Sequence, residues 1–260
     1  MRRHGILATF TAFLLAGAAG LARAQDAEPA IATVTVVNLM KGQILTPAVL
    51  ITHDSTAPPL FVPGEPASSE LAALAEVGRT SGLMNKFNAE VGVLSVTRLP
   101  EFIRPGQTKA VDIEFDARHR LVSSASMLEM TNDGFASLVA AEVPCEGART
   151  YLLGAWDAGS EANTELCAHV PAPCPTPARS GSCAVNGDEG FVHVHSGIHG
   201  CGGFPSEIYD WGPEVAKVSI QVLPERSPAG ALAAACPDQF AAEPEGSDGG
   251  DGDAGAADGG

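Results

Sequence analysis

Aromatic residues are scarce in this 260-residue chain, at 5%, and lysine plus arginine number only 15 against 31 aspartates and glutamates. A nucleic-acid binder has to neutralise phosphates, so that class is excluded, and attraction to an anionic lipid surface is excluded with it. The standard catalytic signatures are missing as well: no Gly-x-Ser-x-Gly elbow, no His-Glu-x-x-His, and no glycine-rich phosphate loop ahead of a helix. Paired acids could cleave glycosides, but that chemistry wants aromatic sugar platforms. Only Trp156, Trp211, Tyr151 and Tyr209 are available. The expectation is a non-catalytic protein, with a metal-dependent hydrolase as the enzymatic alternative. Beyond the first two dozen residues, no apolar run is long enough to cross a bilayer.

What is present begins with an address. Arg2, Arg3 and His4 precede an uncharged stretch from Gly5 to Leu21, and Ala22-Arg23-Ala24 forms an A-x-A cleavage pattern before Gln25. Residues 1–24 read as a signal peptide, with a retained anchor as the alternative, so the mature chain is expected to be secreted or periplasmic. Cysteine usage agrees: six cysteines (145, 167, 174, 183, 201 and 236), an even number in an exported chain, read as disulfides of open connectivity. From Glu243 to the end there are six acids and no base among Gly and Ala, a composition that buries too little apolar surface to fold. Residues 243–260 are therefore read as a disordered acidic tail, leaving 25–242 as one domain with one core.

Within that domain, residues 32–39, 47–52, 91–99, 111–115, 121–130, 135–143, 151–156, 191–195 and 215–223 read as strands. Val111, Ile113 and Phe115 alternate with Asp112, Glu114 and Asp116, as a half-buried strand requires. Ser68 and Ser69 cap one short helix that carries Leu71, Leu74 and Ala75 on one face and stops at Gly78. Residues 160–190, dense in Pro, Ser and Cys, read as disulfide-stapled loop. The expected fold is an all-β antiparallel sandwich.

Two sets of side chains could carry chemistry. Glu114 lies on the polar face of its strand, Asp133 sits in the Asn132-Asp133-Gly134 turn, and Asp157 ends a strand at Asp157-Ala158-Gly159, with Glu161 just beyond. Singly, each also reads as a turn former or a solvated acid; together they could make the oxygen cage that a hard cation wants. The second set is the Phe191–Cys201 stretch, where His193 and His195 share a strand face and His199 follows a turn. Three imidazoles suit copper or zinc, the bland alternative being polar positions near a turn. Acids and histidines are read as two sites rather than one.

The string from Ile113 to Ser123, the block 126–135 ending Thr131-Asn132-Asp133-Gly134-Phe135, and Trp156-Asp157-Ala158-Gly159-Ser160-Glu161 together resemble the spondin N-terminal domain family. Val37-Asn38-Leu39, Gly42-Gln43, 64–68 and Asp210-Trp211 to Ala216 fit its bacterial branch, and the resemblance spans residues 32–223. It implies a C2-like sandwich and a calcium ion held by Glu114, Asp133 and Asp157, with Glu161 where the family has a further acid. It departs at Gly134, where the animal members carry Trp. The combined expectation is an exported calcium-binding, non-catalytic binding or adhesion module whose partner is an extracellular or envelope protein or a glycan. The alternative is a copper- or zinc-binding protein built on His193, His195 and His199.

Overall fold

The computed structural model describes residues 28–173, 175 and 180–240. The leader and the acidic tail read from the sequence lie outside them. Among the described residues ten strands form two antiparallel sheets. The four-stranded sheet has the order β4 (Thr108–Phe115), β1 (Ala30–Asn38), β10 (Ala216–Val222), β7 (Ala148–Leu153). The six-stranded sheet has the order β3 (Val93–Arg98), β2 (Val49–His53), β5 (Leu121–Met127), β6 (Gly134–Glu142), β8 (Ala155–Asp157), β9 (His193–Val194).

Alternation in sequence becomes alternation in burial wherever only one face is covered. Along β1, Ala32, Val34 and Val36 point inward, and along β10 Val218 and Ile220 do. They meet Leu50, Val122 and Leu138 of the larger sheet in the principal core. β2 is buried at every position, because two helices cover its other face. Helix α1 (Ser69–Val77) contributes Leu71, Leu74 and Ala75, and α2 (Thr80–Asn88) contributes Leu83 and Phe87. These pack with Ile51, Ala125, Met127 and Phe135 in a second core. The all-β sandwich expected from sequence is the observed architecture, with its helical part larger than expected.

Helix α1 has the expected ends. The Ser68 hydroxyl accepts the Leu71 N–H at 3.3 Å, and Gly78 closes the helix in the left-handed region at φ 65°. Ser68→Ala should cost about 1 kcal/mol, the usual worth of an N-cap; a chemical-denaturation midpoint unchanged from wild type would show that the cap does not contribute. Helix α2 was not expected, because Gly82 and the polar run around Leu83 and Phe87 blur its periodicity. Docking of Leu83 and Phe87 onto the sheet overrides that weak propensity.

Disulfides join Cys145 to Cys236 and Cys183 to Cys201, and Cys167 is disulfide-bonded too. The first ties the short C-terminal helices at Ala231–Ala235 and Pro237–Phe240 to the β6–β7 connection. The second clamps the irregular 180s segment to the turn after His199. Among the described residues no helix is long and apolar enough to cross a membrane.

Candidate metal centre

Strand register assembles the centre. Gly134 of β6 pairs with Asp157 of β8, and Asp157 pairs with His193 of β9. Asp133 immediately precedes the first of these, so Asp133, Asp157 and His193 come from three neighbouring strands at one level of the larger sheet. The Asp-Ala-Gly turn holds the two acids together: the Ala158 N–H donates to the Asp133 carbonyl at 3.1 Å. Gly159 follows with φ 65°, and a Cβ there would lie 2.2 Å from the Phe191 carbonyl oxygen. Only glycine combines that dihedral with that approach.

Both carboxylates are fully buried. Asp133 Oδ2 accepts the Ser160 N–H at 2.7 Å, the Ser160 hydroxyl at 3.2 Å and the Glu161 N–H at 3.0 Å, whereas its Oδ1 is buried with no partner. Asp157 Oδ1 accepts the Gly159 N–H at 2.8 Å, and its Oδ2 accepts the Asn163 amide at 2.7 Å. No lysine or arginine among the described residues forms an ion pair with either acid. Burial, reinforced by the charge of Asp157, pushes the Asp133 carboxyl up to about 7.

The two histidines differ in which ring nitrogen is available. His193 Nδ1 lies 2.9 Å from the Val194 carbonyl oxygen. A carbonyl only accepts, so Nδ1 bears hydrogen, and in the neutral ring Nε2 presents its lone pair. That Nε2 is buried and unpartnered, 3.6 Å from Asp157 Oδ1 and 3.9 Å from Glu189 Oε2. His195 is the reverse: its Nδ1 accepts the Gly197 N–H at 3.0 Å, which leaves the neutral ring's proton on Nε2, 3.8 Å from Asp157 Oδ2. Burial brings the His195 ring down to about 4 against the opposing pull of Asp157, so it is neutral at pH 7.

The acids and histidines, read from sequence as two sites, are thus one neighbourhood centred on Asp157. Not every expected residue joins it. Glu114 stands exposed on β4 in the other sheet, opposite Ile31, while its neighbours Ile113 and Phe115 turn into the core. Glu161 contributes its backbone N–H to Asp133; its carboxyl is raised by burial and by Glu76, and its Oε2 is buried without a partner. His199 is exposed, with Nδ1 3.5 Å from Glu165 Oε1. Glu165 lies close to Cys183 and Cys201, but those sulfurs form a disulfide and offer no thiolate. Residues not anticipated are Glu189, Asn163 and Glu165, all in irregular chain whose sequence carries no periodicity to place them.

Gly134 has a local reason. A Cβ there would sit 2.7 Å from Thr131 Oγ1 and 2.8 Å from His195 Cδ2, so the His195 ring fills the space a side chain would need. Gly134→Ala is expected to cost about 2 kcal/mol through this overpacking; a melting temperature within a degree of wild type would show that the ring yields freely. The fold and site define an antiparallel β-sandwich with a buried carboxylate–imidazole centre. No protein-family model matches the chain, and no curated protein matches it in sequence.

Proposed function

We propose that the chain is an exported, non-catalytic binding module whose β6–β8–β9 margin is held in shape by a calcium ion at Asp133 and Asp157. The carrying observation is the pair of fully buried acids, one with an unpartnered oxygen, with no lysine or arginine among the described residues paired with either. Burying two like charges is costly unless a cation joins them. Carboxylate oxygens are the donors calcium prefers, and Asp133 Oδ1 has no competing hydrogen bond. Glu114 is left out of this set by its position on the opposite sheet. Export is supported by the leader pattern and by the disulfides.

The ion would fix the turns around an apolar surface, since Phe191 and Val194, exposed by 42% and 70%, flank His193. Such a surface suits an extracellular or envelope protein, or a glycan. Elemental analysis of the purified mature protein before and after EGTA dialysis tests the reading. Near-stoichiometric calcium, lost to EGTA together with several degrees of melting temperature, is expected. A calcium-free protein whose melting is indifferent to added calcium would overturn it.

A further inference from the structure

We infer that Asp157, Glu189 and His193 form a binding site for a zinc-class divalent transition ion, with one nitrogen and two oxygen donors. The inference stands apart from the calcium reading except that Asp157 is common to both.

The donor atoms of these three residues all lie within 4.8 Å of one another. Around Zn²⁺, with bonds of about 2.0–2.2 Å, neighbouring donors sit about 3.5 Å apart. The 3.6 Å and 3.9 Å separations from His193 Nε2 to Asp157 Oδ1 and Glu189 Oε2 therefore need a contraction of only a few tenths of an ångström. Proton placement matters more than distance. With Nδ1 donating to the Val194 carbonyl, the neutral His193 ring turns an Nε2 lone pair toward two carboxylate oxygens, three acceptors that a metal ion, in competition with a second ring proton, joins. The same bond is the outer-sphere support that a metal-bound imidazole ordinarily has. Imidazole also favours zinc, copper or nickel over calcium.

His195 is excluded as a ligand by the same argument. Its Nδ1 lone pair is taken by the Gly197 N–H, so its Nε2 bears hydrogen and can only donate toward Asp157. It positions Asp157 rather than the metal. His199 is excluded by its place beside Glu165. His193 Nε2 and Asp157 are buried, so the ion is reached from the side of Glu189, whose side chain is 32% exposed, and three protein donors leave the fourth tetrahedral position to water.

Titration calorimetry with zinc chloride on the mature protein, with cobalt(II) absorption as a second readout, tests this. One ion per chain is expected. Glu189→Gln, a surface change that leaves folding intact, should weaken binding at least tenfold, and His193→Ala should abolish it. Asp133→Asn should lose calcium yet retain zinc, which separates failure of this inference from failure of the calcium reading. The inference is overturned if zinc does not bind, or if Glu189→Gln and His193→Ala bind it as wild type does. Loss of zinc on His199→Ala with retention on His193→Ala would overturn it equally.

Discussion

Asp133→Asn is expected to make the calcium-free protein more stable than wild type and to remove calcium's stabilisation altogether, so the two proteins exchange rank as calcium is added. The Asn side chain keeps an oxygen for the Ser160 and Glu161 N–H groups that Asp133 Oδ2 now serves. What it removes is a buried charge beside Asp157. Relief of that repulsion should be worth about 2 kcal/mol without the ion. Saturating calcium stabilises wild type by about 3 kcal/mol at a hundredfold excess over Kd, and the variant by nothing. For a domain of this length that is a swing of about 6–12 °C between the two conditions.

The pH dependence of the calcium-free state carries the same signature. A carboxyl raised to about 7 binds its proton more tightly folded than unfolded, so its contribution to stability falls as pH rises from the ordinary carboxylate range to about 7. His195, brought down to about 4 from 6.5, acts oppositely: the unfolded chain takes up its proton first, so stability rises with pH between those values. In wild type the two slopes oppose each other below pH 6.5. Asp133→Asn should expose the rising histidine limb alone. Parallel pH profiles for the two proteins, with or without calcium, would show that Asp133 is not the buried acid described.

How much of this was legible depends on which residues one asks about. The strands β1, β4 and β10 were readable because one face is wet and the alternation survives. The turns carrying Asp133 and Asp157 were readable because glycine follows each acid closely. Yet the centre depends on pairing between distant segments, and β9 is only two residues long after a long irregular stretch. No local pattern specifies that His193 lies opposite Asp157. Glu114 misled for a related reason: its alternating neighbours place it correctly on a polar face, but the face belongs to the other sheet. Glu189 and Glu165 lie where acid content looks like mere solvation.

Glu165 is the residue whose removal should disturb that irregular region most. It is 4% exposed, at φ 53°, and its carboxylate accepts backbone N–H groups from His199 at 2.6 Å, Gly200 at 2.9 Å and Gly202 at 3.4 Å. Its own N–H donates to Asn132 Oδ1 at 3.2 Å, and its carbonyl accepts the Gly203 N–H at 2.7 Å. The Glu165 carboxylate thereby gathers the turn beyond His195, and its backbone N–H ties that turn to the residue next to Asp133. Glu165→Ala strands three backbone donors, the Gly202 N–H buried and those of His199 and Gly200 partly so; a buried donor left unmet costs about 1–3 kcal/mol, and water meets the others in part. A loss of about 3 kcal/mol, or roughly 6–12 °C in melting temperature, is expected. Glu165→Gln, which keeps one accepting oxygen, should lose about half as much. Because the stitched turn follows His195, hydrogen exchange at the amides of His199, Gly200 and Gly202 should accelerate, while exchange in β1 and β10 should keep its wild-type order. Equal stability of Glu165→Ala and wild type would mean that the Cys183–Cys201 disulfide alone holds the turn, and reducing that bond in the variant would then be the step that releases it.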